Sequence, residues 1–285
     1  MTDSTTQAPP LDQRVTEPPQ PAAPPAAPAP APRDRRVLRA VSRWTAAVTV
    51  FAAVGTGTAY GITTLARTDV PGLATEADGR WDYPELTRPP LPAGSPGPFA
   101  DGNTAGAHHA DLRALVLPAP AGAREATALR GADGWLATKD YLAEYAEENR
   151  ELLRQKLVDT GLRHIAARGW TTPDGIRTRI YLLRFDTAQV VDTEMAPEAL
   201  AFAWPTYPLR GAPDTEYDET FPESATVRGI ARTAYAEPKP YGAEQVRQAY
   251  LAAGDVYAVI VQSRKGGVPD VPFQQTVILQ SQLLG

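Results

Sequence analysis

The sequence predicts an α+β domain: a mostly antiparallel sheet of about five strands packed with about three helices. One transmembrane helix and a disordered, proline-rich tail precede it. Three observations predict this layout. An uncharged run of 23 residues, Trp44 to Ala66, directly follows five arginines. Of the 29 prolines, ten fall in residues 1–32 and six more in residues 84–98. From about residue 106, helical periodicity and β-branched runs alternate with turn signals.

Residues 1–43 form the predicted cytoplasmic tail. Its first part, "MTDSTTQAPPLDQRVTEPPQPAAPPAAPAPAP", has almost no large apolar side chains to offset the entropy of ordering. Runs such as "PAAPPAAPAPAP" favour polyproline II, which has no internal hydrogen bonds. The tail reads as a solvated spacer, with docking to a cytoplasmic partner as its functional alternative.

Residues 44–66 are the predicted span. At 1.5 Å per residue, about 20 helical residues cross a hydrocarbon core of ~30 Å. The six threonines of the run can bond back to their own helix carbonyls, so they cost little in lipid. Arg33, Arg35, Arg36, Arg39 and Arg43 precede the run and only Arg67 closely follows it. By the positive-inside rule the N-terminus is cytoplasmic and the C-terminal domain extracytoplasmic, which makes a single-pass protein of the cell membrane. Arg35–Arg36 also suits a cleaved twin-arginine export signal. Against it, the basic region begins late and the apolar run exceeds the ~7–15 residues of a signal core. Ala53, Gly57 and Gly61 recur every four residues, a small-residue stripe through which two spans can pack as a homodimer. Chance spacing in a Gly/Ala-rich helix gives the same pattern.

Residues 67–105 are a proline-rich outer linker. Trp81, Tyr83, Leu86, Leu91 and Phe99 make its second half too aromatic for a pure spacer, so they are expected to anchor it on the domain surface.

The domain itself is placed at residues 106–285. Residues 111–120 read as a short extended segment. Residues 138–161 read as a helix with Leu142, Tyr145, Ala146, Leu153 and Leu157 on one stripe, Glu147–Arg150 and Glu151–Arg154 as i,i+3 pairs, and Gly161 as its C-terminal cap. Pro173-Asp174-Gly175 predicts a turn joining strands 162–170 and 176–185. Asp186 and Gln189 form a capping-box pattern opening a short helix. A long loop covers 205–226, and a strand follows over 227–238. Residues 244–266 suit either a helix or a hairpin turning at "AAGD"; the hairpin is favoured, with 256–263 as the central strand. Asp270 caps a closing helix, with Pro272 in its first turn and Phe273, Val277, Ile278 and Leu284 facing inward.

This order, with the Ala/Pro/Arg-rich composition and the tail "VQSRKGGVPDVPFQQTVILQSQLLG", resembles uncharacterised actinobacterial single-pass membrane proteins with an extracytoplasmic α+β domain. The resemblance is one of outline; it implies no catalytic motif, no cofactor and no residue role.

With no cysteines, the chain has no disulfides, thiolate metal sites or cysteine nucleophile. Residues 67–285 carry 22 basic and 29 acidic residues, a balance of −7, which speaks against nucleic acid as a partner. His108, His109 and Asp111 are metal-capable but read as a surface loop, and His164 as a half-buried strand residue. Asp214, Glu216, Asp218, Glu219 and Glu223 crowd one loop; calcium ligation is the functional reading and a solvated loop the favoured one. The anion site expected is "RKGG": Arg264 and Lys265 beside the free N–H groups of Gly266 and Gly267. The chain is therefore read as a membrane-anchored, non-enzymatic binding module for a cell-envelope component or protein partner. The alternatives are an envelope hydrolase assembled from dispersed residues and a structural membrane subunit.

Overall fold

The computed structural model describes residues 35–64, 78–200 and 204–285, which fall in two compact units treated separately below. The predicted proline-rich tail before residue 35 and the first part of the linker lie outside the described residues.

The first unit contains helix α1, Arg35–Thr64. It takes in the arginine-rich approach as well as nearly all of the uncharged run. Its stretch Arg35–Thr56 is long and apolar enough to cross a membrane, and none of it is buried within the structure. The hydroxyls behave as their chemistry requires: Thr45 Oγ1 donates to Val41 O and Thr49 Oγ1 to Thr45 O, each at 2.8 Å. Neither leaves a bare polar group on the helix surface.

The second unit is α+β and has, among the described residues, one antiparallel sheet of seven strands. They are β1 (Arg124–Glu125), β2 (His164–Thr171), β3 (Arg177–Arg184), β4 (Glu216–Tyr217), β5 (Ile230–Ala236), β6 (Gln245–Ala253) and β7 (Val256–Arg264). They lie in the order β1-β2-β3-β7-β6-β5-β4. The five long strands are those expected, and β7 is central. The two additional ones are two-residue edges, too short to show any period.

The helices number more than expected because two predicted helices are each divided. Residues 138–161 split into α2 (Thr138–Leu142) and α3 (Arg150–Asp159), with a short 3₁₀ turn between. The break is a tertiary effect: Ala146 N donates to Pro208 O and Arg210 N to Glu144 O, so the chain pairs with the 208–210 segment instead of continuing the helix. Arg150 correspondingly sends Nε to Tyr145 O, while the Glu151–Arg154 pair forms as expected. At the far end Leu162 N bonds Leu157 O and Gly161 N bonds Val158 O, a Schellman cap with Leu162 and Leu157 in one apolar cluster.

The second divided helix comprises α4 (Ala188–Val190), a π turn (Val191–Met195) and α5 (Pro197–Leu200). Pro197 has no N–H for the regular ladder, and Ala196 N reaches Val191 O at 2.8 Å. Its N-cap is Thr187 rather than Asp186, because Asp186 turns away to a two-point ion pair with Arg163. The closing helix is α6 (Asp270–Leu284), with Pro269 at the N-cap position; Asp270 pairs with Arg247. Phe273, Val277 and Leu284 are buried as expected, whereas Ile278 is half-buried.

Both hairpin turns follow their residues. Thr172 N donates to Ile176 O and Gly175 N to Thr172 O, with Gly175 at φ 87°. In the β6–β7 turn Gly254 has φ 52°, and a Cβ there would stand 2.2 Å from Gly106 O. Only glycine meets both demands.

The sheet is covered on both faces, which is why β7 is buried from Val256 to Ser263 rather than alternating. On the first face Tyr181, Leu183, Tyr257 and Val259 pack against α2, α3, the π turn and α5. On the second face Ile180, Leu182, Ala258 and Ile260 pack against α6 and the 112–117 segment. Trp81, Tyr83, Leu86 and Phe99 pack against that second cluster, while Leu91 stays exposed. Trp81 and Gln275 exchange two hydrogen bonds, and the Tyr83 hydroxyl pairs with Thr276 Oγ1 at 3.0 Å.

Candidate functional site

The segment "RTRIYLLR" forms β3, and strand alternation places Arg177 and Arg179 on the same face as Tyr181 and Leu183. Toward α2 and α3 that face is filled by tyrosine and leucine. Toward the start of β3 the helices no longer cover it, and a cleft of about 460 Å³ remains. Its size lies within the range of small-molecule sites.

Charged groups line this cleft from distant parts of the chain. Arg177 Nη2 meets Glu244 Oε2 at 2.5 Å, and Arg179 Nε lies 2.9 Å from Glu144 Oε1. Tyr181 donates its hydroxyl to the same Glu144 oxygen at 2.7 Å, and Arg179 Nη1 reaches Ser263 Oγ at 3.3 Å. Burial alone pushes the Glu244 carboxyl up; hydrogen bonds from Arg177 and Ser263, with the field of Arg177 and Arg179, outweigh it and hold the carboxyl below its usual range. Arg210 also lines the cleft, exposed, with no ion-pair partner among the described residues. Leu129, Ala126 and Val246 supply apolar wall. A cluster of fixed guanidinium groups beside an apolar surface can orient a small polar ligand through hydrogen bonds.

Beneath the helices the same face carries a tyrosine core. Tyr141 and Tyr145 share a hydrogen bond of 2.5 Å, and the rings of Tyr141 and Tyr181 meet edge to face at 5.2 Å. Burial pushes the hydroxyls of Tyr141, Tyr145, Tyr250 and Tyr257 far above their ordinary range, so they act as neutral packing groups.

The expected anion loop stands elsewhere. Arg264 ends β7, and alternation puts it on the second face, opposite Arg177 and Arg179. Lys265 and Gly266 are exposed, Arg264 and Gly267 half-buried. Gly266 and Gly267 both have positive φ, 79° and 113°. None of the four lines the cleft. Of the small-residue stripe, Ala53 is exposed on α1; the surroundings of Gly57 and Gly61 lie outside the described residues.

The histidines depart from expectation. His108 is buried, not in a surface loop: its Nδ1 lies 2.7 Å from Asp255 Oδ1 and its Nε2 2.9 Å from Leu284 O. Its backbone N–H also donates to Asp255, and Arg184 Nε approaches the other oxygen at 3.2 Å. This constellation joins residues from four segments, at 108, 184, 255 and 284. His164 is exposed and stacks on Trp135. In the acidic loop Asp218 is buried against Arg247 and Thr220, while Asp214 accepts from Tyr241 Oη, so two of its carboxylates are committed to structure. Among the described residues no group of three or more His, Asp or Glu side chains is placed to hold a metal ion.

The cleft residues carry little sequence signal. The i,i+2 arginines of "RTR" mark one polar patch on a strand otherwise apolar, and that is readable. Glu144, Arg210 and Glu244 converge only through the fold.

No family model and no curated protein matches the chain. Among solved structures, the extracellular domain of PknH from Mycobacterium tuberculosis aligns with 50% of this chain and 72% of that one. The identity is 10% and the TM-score 0.29, a likeness too slight to support any inference.

Proposed function

We propose that the chain is a single-pass membrane protein whose outer α+β unit is a non-enzymatic binding module for a small component of the cell envelope. The observation that carries this reading is the cleft: two arginine–glutamate ion pairs and a third arginine without an ion-pair partner among the described residues, beside apolar wall, in a volume suited to a small ligand. The arginine asymmetry about residues 44–66 supports a cytoplasmic N-terminus and an extracytoplasmic residue 67–285 portion. The loop of half-buried Arg264 and exposed Lys265 is a second, weaker point for contact with anionic envelope groups, with Arg264 on the opposite face of the sheet.

Thermal unfolding of the full chain in lipid nanodiscs tests the reading. The small-molecule fraction of an envelope extract is expected to raise the unfolding temperature of the outer unit. A ligand at about 100 times its Kd contributes about 2.7 kcal/mol. The Gly242→Trp variant, which places a large side chain at the lining of the cleft, is expected to lose the shift. An equal shift in that variant, or none in the natural chain, contradicts the proposal.

A further inference from the structure

The hydrogen-bond inventory of the cleft is unequal. Each guanidinium has five N–H donors and no acceptor. Arg177 commits Nη2 to Glu244 and Arg179 commits Nη1 to Ser263, while Arg179 Nε stands 2.9 Å from Glu144 Oε1 as an ion pair without hydrogen-bond geometry. The remaining donors of Arg177, and all those of the Arg210 guanidinium, have no protein acceptor among the described residues. Each carboxylate, by contrast, already faces an arginine. Glu144 Oε1 receives Tyr181 and faces Arg179, while Glu244 is held by Arg177 and Ser263. With three guanidinium groups against two carboxylates, the formal balance is +1.

A cationic ligand would find each carboxylate occupied by an arginine. A neutral ligand would leave the surplus charge unanswered. An oxyanion meets the unused donors of Arg210 and Arg177 in the fork geometry that guanidinium groups favour. Glu244 then becomes its competitor, because it occupies part of Arg177.

The geometry points to a ligand bearing a carboxylate or phosphate group, seated between Arg210 and Arg177, with an apolar portion against Leu129 and Val246. This inference rests on the cleft being a ligand site, and it adds the chemical class.

The test is calorimetric titration of the full chain in nanodiscs with four related probes: benzoate, phenyl phosphate, benzamide and benzylamine. Benzoate or phenyl phosphate is expected to bind, and their relative affinities tell carboxylate from phosphate recognition. Arg210→Ala should weaken that binding by roughly tenfold or more, the scale of one charge-assisted hydrogen bond. Glu244→Gln should strengthen it, since the competing carboxylate is gone. The double change Arg264→Ala and Lys265→Ala should leave it unaltered. Both cleft positions are changed without touching the apolar core, and an unchanged thermal transition in each variant confirms its folding. Benzamide binding as tightly as benzoate, or benzylamine binding that weakens in Glu244→Gln, overturns the oxyanion assignment. If none of the four probes binds, the assignment fails. The stabilisation by envelope extract, and its loss in Gly242→Trp, then judges the binding-module reading separately.

Discussion

Glu237 is a carboxylic acid inside the second unit, about 1% exposed, accepting the Val246 N–H at 2.7 Å. Burial raises its proton affinity above the ordinary value of 4.5, and the Val246 and Tyr241 N–H groups offset this only in part. The sign follows from proton binding. Above pH 4.5 the unfolded chain gives up this proton before the folded one does, so stability falls as pH rises through the folded value. Glu237→Gln cannot ionise and keeps an oxygen for Val246. Its unfolding temperature should exceed that of the natural chain at neutral pH, and the gap should close as pH falls toward the ordinary carboxylate range. A variant less stable at pH 7 would mean that the charge itself is needed. At this scale little was legible in the sequence. His108 reads as a surface residue because its partners, Asp255 and Leu284, are 147 and 176 positions away. No local pattern announces contacts of that span.

At the scale of elements the sequence serves better, because strands and helices leave periods. The β2–β3 and β6–β7 hairpins, the central place of β7 and the closing helix all follow from β-branched runs, glycine turns and apolar spacing. The failures are instructive. The 138–161 helix divides because 144–146 pairs with 208–210, a tertiary contact that overrides a good helical pattern. The segment beginning at Trp81 bears on where the folding unit starts. Its Trp81 and Tyr83 bond to α6, and four of its apolar side chains pack on the second cluster. Residues 78–285 are expected to melt in one cooperative transition. A 106–285 fragment should lose roughly 4 kcal/mol or more, at about 1.5–3 kcal/mol per fully buried large side chain, discounted for partial burial. Denaturant unfolding of the two fragments measures this. Equal midpoints would show that the aromatic segment only rests on a domain complete from residue 106.

For the whole molecule, two features of the sequence carry the account: five arginines on one side of an uncharged run, and a cysteine-free, net-acidic portion on the other. The first is the ground for the proposed orientation through the positive-inside rule, and the second is consistent with a domain held by its core rather than by disulfides. The candidate site is the part least visible at this scale. Its five charged residues come from four separate places, 144, 177–179, 210 and 244, and only the folded sheet brings them to one cleft. Everything proposed for that cleft requires it to face the envelope. The absence of native cysteines allows a direct measurement: single cysteines are introduced as Ser4→Cys or Lys265→Cys, and intact cells are treated with a membrane-impermeant maleimide. The account predicts that Lys265→Cys is labelled in intact cells and that Ser4→Cys is labelled only after the membrane is permeabilised. Labelling of Ser4→Cys with protection of Lys265→Cys would contradict it.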